Sequence, residues 1–283
     1  MAGSDCSPLF LCRIMTDPQT SVPTATLPPV EGGADPMIHL EGVTMAFGDR
    51  VVLDNVDLKV PRGRITVVMG GSGSGKSTTL KLIVGFIFPS QGKIWIDGQD
   101  VLKLTSEQRI QVQKSIGMSF QYSALFDSMS VYDNVAFPLR EKTSLGEKDI
   151  RDKVIAELER VGLRDAELKF PAQLSGGMGK RVALARALVR DPEIVLFDEP
   201  TTGLDPVVSR TILDLFGSVH QRLKLTGILV SHEIPKIFEI VQRVAMLHEG
   251  RIIAVESPEQ LCASPDPMVQ EFVNGKARAT IAT

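Results

Sequence analysis

The chain has 283 residues, 43 % hydrophobic and 23 % charged, with 31 basic against 34 acidic side chains and a formal net charge of −3. That balance excludes collagen-like, coiled-coil and largely disordered proteins, and it leaves no positive excess for binding nucleic acid through bulk charge. The length allows one large α/β domain or two small ones.

Residues 1–36 are punctuated by Pro8, Pro18, Pro23, Pro28, Pro29 and Pro36 among Ser, Thr, Gly and Asp, without a sustained period. This stretch is expected to be a flexible leader, with Met15 and Met37 as alternative starts. No basic segment followed by a long apolar stretch opens the chain, so no secretory signal is expected. Cys6, Cys12 and Cys262 are odd in number, match no zinc spacing and read as reduced thiols.

From Met37 the texture changes. Ile38, Leu40 and Val43 alternate imperfectly; Val51 to Leu53 and Val56, Leu58 and Val60 read as strands between Gly48-Asp49 and Pro61-Arg62-Gly63. Ile65 to Met69 is a β-branched run leading into glycines. A helix is expected over Lys76 to Phe88, ended by Pro89, then a strand over Gly92–Gly98 containing Trp95 and another over Ser115–Phe120. The longest strongly apolar run is Leu82 to Phe88, where a membrane-spanning helix needs about 20 residues. The middle is helix-rich, with Ile150, Val154, Ile155, Leu158 and Val161 forming a stripe near a 3.6-residue period. Ile194 to Phe197 reads as a buried strand, Pro206–Leu223 as a helix, Gly227–Val230 as a strand and Pro235–Val241 as a helix. Val244–Leu247 and Arg251–Val255 form a hairpin across His248-Glu249-Gly250. Strands alternating with helices predict a mostly parallel sheet covered on both faces.

Gly70, Gly71, Ser72, Gly73, Ser74, Gly75, Lys76 and Ser77 fit the G-x-x-x-x-G-K-[S/T] phosphate loop, after a strand and at the opening of a helix. Glycines let the backbone wrap phosphates with its N–H groups inward, and the helix N-terminus adds favourable partial charge. Lys76 would reach the outer phosphates and the Ser77 hydroxyl would ligate Mg2+. A glycine-rich turn alone is often only a turn; Lys76, Ser77 and both flanks make it more than that. The strand at Ile194 ends in Asp198 and Glu199. Two acids after a strand are commonly a solvated loop, but beside a phosphate loop they have roles. Asp198 would hold Mg2+ through water, and Glu199 would orient or deprotonate the attacking water.

Leu174-Ser175-Gly176-Gly177-Met178 lies about twenty residues before Asp198 and runs into Lys180-Arg181-Val182-Ala183-Leu184-Ala185-Arg186. This resembles the signature motif and helix of ABC-transporter ATPases, and other elements follow in that family's order over roughly residues 37–260. Phe47 matches the aromatic that stacks on adenine, Gln121 the Q-loop glutamine, Thr202-Gly203-Leu204-Asp205 the D-loop, and Ser231-His232 the switch histidine.

The resemblance implies an α/β P-loop (RecA-like) nucleotide-binding domain with a mostly parallel core sheet, an antiparallel β subdomain and a helical subdomain. Its expected bounds are 37–265 for the domain, 122–190 for the helical subdomain and 266–283 for a tail. It extends the nucleotide contacts to Thr78, gives Gln121 a place on Mg2+ and the water, and lets His232 touch the γ-phosphate. Ser175, Gly176 and Gly177 would start a helix facing the γ-phosphate of ATP bound on another copy, in a head-to-tail dimer. A plain core role is the alternative for Phe47, and a structural one for His232. His39, His220 and His248 read as structural, and Trp95 and Tyr132 as packing. Met178 stands where glutamine is commonest and Glu233 where aspartate is usual; neither touches the carboxylates or the lysine, so hydrolysis is expected to survive.

Residues 123–141 look like the same region of bacterial Mla-type phospholipid-transport ATPases, which work with MCE-domain proteins. Ser264-Pro-Asp-Pro267 with Val269, Phe272 and Gly275 also resembles their C-terminal end. The implied partners are a second copy, an integral membrane permease, an MCE-domain protein and a small accessory subunit, at the cytoplasmic face of the bacterial inner membrane, without nucleic acid. Leu125, Phe126, Met129 and Val131 would line the groove for a permease coupling helix, or else form ordinary core. The alternatives are an ABC ATPase for an amino acid, an ion or a lipoprotein, and a soluble ABC-type ATPase of DNA repair or translation.

Overall fold

Residues 35–231 and 234–273 are described by the computed structural model. Residues 1–34 of the expected leader, most of the tail, Cys6, Cys12, His232 and Glu233 lie outside the described residues. The chain divides into two compact units, one containing residues 1–102 and 231–283 and the other 103–230.

In the first unit, β1 (Ile38–Phe47) and β2 (Arg50–Val60) form an antiparallel hairpin, and β4 (Gln91–Ile96) and β5 (Gln99–Asp100) extend it in the order β2-β1-β4-β5. The imperfect alternation after Leu40 has a structural cause: the pairing register slips between Leu40 and Val43, beside Gly42 at φ 60. Such a bulge turns two successive side chains where the pleat allows one. β3 (Ile65–Met69) pairs in parallel with β9 (Arg243–His248), whose other edge meets β10 (Arg251–Glu256) antiparallel. All five residues of β3 are buried, as the unbroken apolar run required. From Met69 the chain runs through the glycines into α1 (Lys76–Val84). This helix stops four residues before the expected Phe88, because Gly85 takes the left-handed conformation at φ 79 and its N–H caps Leu82 and Lys81 carbonyls. Near the C-terminus α7 (Ile234–Ile237), α8 (Pro258–Cys262) and α9 (Pro267–Val273) are short; the helix expected over Pro235–Val241 is only that one turn. Cys262 is disulfide-bonded, where the sequence reading has a reduced thiol.

The second unit holds three parallel strands in the order β8-β7-β6: β6 (Ile116–Ser119), β7 (Ile194–Asp198) and β8 (Thr226–Ser231). Its helices are α2 (Ser106–Lys114), α3 (Val131–Lys142), α4 (Glu147–Arg160), α5 (Gly176–Leu188) and α6 (Pro206–Leu223). The sequence reading has no helix at α2, although Thr105 and Gln108 form a reciprocal capping box there. No α2 residue is buried, so no apolar stripe marks it. The stripe on α4 is real at Ile150, Val154 and Leu158, all buried. In β7, Ile194, Val195 and Leu196 have no exposed surface, and the Phe197 ring stacks on Phe216 of α6 at 4.3 Å. Each such burial is worth about 1.5–3 kcal/mol. A one-residue slip would forfeit it, so the strand's register fixes where Asp198 and Glu199 emerge. Among the described residues no helix is long and apolar enough to cross a membrane.

Candidate active site

The first unit holds the phosphate loop. Gly75, the residue before α1, sits at φ 108, and a Cβ there would lie 2.5 Å from Leu53 Cδ2 of β2. Only glycine satisfies both the left-handed backbone and the close approach. Its carbonyl accepts from the Thr79 backbone at 2.9 Å and from Thr79 Oγ1 at 3.1 Å, which locks the first helical turn. Lys76 is 7 % exposed, and its Nζ donates to the carbonyls of Gly70 at 3.0 Å and Gly71 at 2.8 Å. The loop thus holds its own lysine inward. Ser74 is also buried, and its Oγ has no hydrogen-bond partner among the described residues. An orphaned buried hydroxyl costs about 1–3 kcal/mol; a phosphate oxygen in the cradle would supply the missing acceptor. Gly71, Ser72, Gly73 and Ser77 are exposed and Thr78 half-buried. Phe47 ends β1 opposite Arg50 and is 52 % exposed. The plain core alternative therefore fails for it, and an aromatic face stands open to stacking.

The second unit holds Asp198 and Glu199. Asp198 is the last residue of β7 and half-buried. Glu199 follows at φ 46, a left-handed backbone that non-glycine residues seldom adopt. The strain is compensated by bonding on every side: Glu199 N–H donates to Val230 O at 3.0 Å, and its Oε2 accepts from Gln121 Nε2 and from Thr202 Oγ1, each at 2.9 Å. Gln121 and Glu199, 78 positions apart, are thereby brought together. Thr202 was read only as part of the D-loop; its grip on the glutamate has no signal in the sequence. Lys180 is a further residue without an assigned role there. It lies on α5, 6 % exposed, and its Nζ donates to the carbonyl of Gln121 and, at 3.4 Å, to that of Glu199. Burial pushes the Lys180 ammonium below the usual lysine range, opposed by the Glu199 and Asp198 carboxylates.

Ser175 is the N-cap of α5, its Oγ accepting from Met178 N at 3.3 Å. The N–H groups of Gly176 and Gly177 head the helix, as an anion site requires. A Cβ on Gly177 would lie 2.5 Å from Val208 Cγ1 of α6, so the second glycine of the motif is needed for helix packing. Asp205 caps α6 by accepting from Val207 N and Val208 N, both at 3.0 Å. Its carboxylate therefore has a structural task besides any D-loop role.

The segment after Gln121 is pinned by residues that motif reading passed over. Ser123 and Ala124 both have positive φ, and Arg186 donates to their carbonyls at 2.6 and 2.7 Å. Buried Asn134 bonds Phe126 N and O and the carbonyls of Met129 and Ser130. A cleft of about 440 Å³ opens beside it, lined among others by Met118, Phe120, Phe126, Phe137, Arg186 and Arg190. Phe126 is 42 % exposed against Phe137, whereas Val131 is fully buried and belongs to the core rather than the groove. Trp95 and Tyr132 pack as expected: Trp95 Nε1 donates to Glu41 at 2.7 Å, and Arg140 lies 5.7 Å from the Tyr132 ring.

No cluster of three or more His, Cys, Asp or Glu side chains that could hold a metal occurs among the described residues. The oxygen donors at issue (a serine hydroxyl, one carboxylate and an amide) suit Mg2+, which takes few protein ligands and keeps waters and phosphate oxygens.

Comparison with known proteins gives concordant findings. The family model "ABC transporter" matches residues 53–202. The chain is 45 % identical over 241 residues to the intermembrane phospholipid transport system ATP-binding protein MlaF of Haemophilus influenzae, covering 85 % of this chain and 91 % of that protein. It is 40 % identical over 239 residues to a probable ribonucleotide transport ATP-binding protein, mkl, of Mycobacterium leprae, covering 84 % and 69 % respectively. Among solved structures, a dimeric ATP-binding cassette in a post-hydrolysis state with ADP and phosphate is similar at TM-score 0.72 and 30 % identity, covering 78 % of this chain and 99 % of that one.

Proposed function

The chain belongs to the ABC transporter family and is an ATPase of it, and from that premise we propose that it is the motor subunit of an Mla/MCE-type transporter moving phospholipid between inner and outer membranes. The observation that carries the substrate class is its likeness, along nearly the full length of both chains, to MlaF. The mkl likeness names a ribonucleotide instead but is weaker and covers less of the relative.

In this reading the phosphate loop from Gly70 to Thr78 binds ATP through its backbone N–H groups, with Lys76 moving from its loop carbonyls to the β- and γ-phosphates. Phe47 stacks on the adenine. Ser77, Asp198 and Gln121 hold Mg2+, which when bound neutralises the charge on the phosphates. Glu199, its Oε2 already steadied by Gln121 and Thr202, orients the attacking water and takes its proton. His232 contacts the γ-phosphate. Ser175, Gly176 and Gly177 meet the nucleotide of a second copy, and Asp205 lies at that junction, so two chains close head to tail around two ATP molecules. The similar cassette is itself dimeric. Residues 122–190 serve as the helical subdomain, and the cleft beside Phe126 receives a coupling helix of the permease. The chain then sits peripherally at the cytoplasmic face of the inner membrane.

Co-purification from the native host tests the assignment. Recovery of a permease together with an MCE-domain subunit is expected. Recovery of an amino-acid or nucleotide transport system instead, or of no membrane protein, overturns the phospholipid assignment.

A further inference from the structure

Three bonds in the second unit close a ring. Lys180 Nζ donates to the main-chain carbonyl of Gln121; Gln121 Nε2 donates to Glu199 Oε2; and the Glu199 carbonyl accepts from Lys180 Nζ. The ring joins three segments that are 59, 78 and 19 positions apart. A lysine ammonium offers three donors on a flexible stem and can serve two carbonyls that diverge. Burying that charge is costly unless it organises its surroundings. What surrounds it is the glutamate with the left-handed backbone and the residue that grips its carboxylate.

We propose that Lys180 is a positioning residue for hydrolysis, holding the main chains of Gln121 and Glu199 in the one relative placement that lets the Gln121 amide aim the glutamate carboxylate. The proposal rests on the reading of Glu199 as the residue that activates water. The α5 helix carries Lys180 five residues after Ser175. The helix that begins at the signature motif therefore also reaches, through Lys180, the groups that act on water. A displacement of α5 would be felt at Glu199 through two hydrogen bonds rather than through diffuse packing.

Lys180 bonds to protein carbonyls, so its loss should lower kcat and leave ATP binding alone. The test uses the purified full chain, with single-turnover hydrolysis of radiolabelled ATP and with bound ATP per chain measured in parallel. Lys180→Met keeps the stem and removes the donors; kcat is expected to fall about 10- to 100-fold, as small misplacements of reacting groups do. KM should stay within about twofold, and bound ATP per chain should match the unmodified protein. Lys180→Arg keeps a cationic donor and should recover most of the loss. On a Glu199→Gln background, Lys180→Met should cost nothing further, because the group it positions is gone. Three outcomes overturn the proposal. These are an undiminished rate in Lys180→Met, a loss of rate matched by an equal loss of bound ATP, and the same fold-loss on the Glu199→Gln background as alone. If Glu199→Gln itself hydrolyses ATP normally, it is the reading of Glu199 that fails, which the single variant reveals by itself.

Discussion

The phosphate loop and the Glu199 network hold their charged groups by different means. The loop motif, Gly70 to Ser77, is eight consecutive residues, and its cation is restrained by carbonyls five and six positions away. Backbone and glycine do nearly everything there. Around Glu199 the restraint comes from Gln121, Lys180, Thr202 and Val230, four places in the chain that only folding assembles. The first arrangement is a receptor waiting for charge; the second is a tool already aimed. Binding and turnover should therefore separate cleanly under mutation.

The most damaging change should be Lys76→Ala. It removes the cation that phosphates require, so ATP binding should fall at least about 100-fold, given roughly 1.5–3 kcal/mol for each charged hydrogen bond. Turnover should fall with it, as read by nucleotide titration and phosphate release. Glu199→Gln should do the converse: hydrolysis drops about 100- to 1,000-fold while ATP stays bound. With product formation blocked, size-exclusion chromatography with light scattering should show an ATP-dependent dimer. Retained binding in the first variant, or lost binding in the second, would erase the distinction between the two regions.

Smaller effects sharpen it. Gly177→Ala forces a methyl against Val208; overpacking costs about 1–3 kcal/mol, partly offset by up to about 1 kcal/mol of helix propensity. Denaturant titration should therefore show a net loss of about 1–2 kcal/mol. Gly179→Ala, two residues on with its nearest neighbour 3.7 Å away, should not be destabilised at all. Thr202→Val removes a donor to Glu199 Oε2. It should slow hydrolysis about threefold to tenfold, the roughly 0.5–1.5 kcal/mol that a typical hydrogen bond contributes net, with KM unchanged. Removing the cap with Asp205→Ala should cost about 1 kcal/mol of stability, largely recovered by Asp205→Asn, which keeps the accepting oxygen.

The same division explains what could be read from the chain beforehand. The phosphate loop, the buried run at β7 and the cap at Ser175 are local: their chemistry follows from neighbouring residues. The fold class followed from such pieces in order. The end of α1 was misjudged because Pro89 looked like the stop, when Gly85 turns the chain four residues earlier. Helix α2 was missed because it buries nothing, leaving only its capping box as a sign. Lys180, Arg186 and Asn134 gave no hint of their roles, since a lysine or an asparagine in a helix is ordinarily solvated, and their partners lie elsewhere in the chain. Val131 remained open between groove and core in the sequence, because an apolar residue at a helix start has no visible preference between a cleft and the core.

Phe47 has a consequence for diet rather than mechanism. As the adenine-stacking residue proposed above, this half-exposed phenyl face at the tip of a hairpin would offer a nucleobase a flat apolar platform but no donor or acceptor of its own with which to tell one base from another. Every base has a π-face, and stacking on an aromatic ring is tolerant of which one arrives. A chain that recognises its fuel by the phosphates and merely shelves the base would burn whichever nucleoside triphosphate is plentiful. In a cell, abundance rather than recognition would then make that fuel ATP.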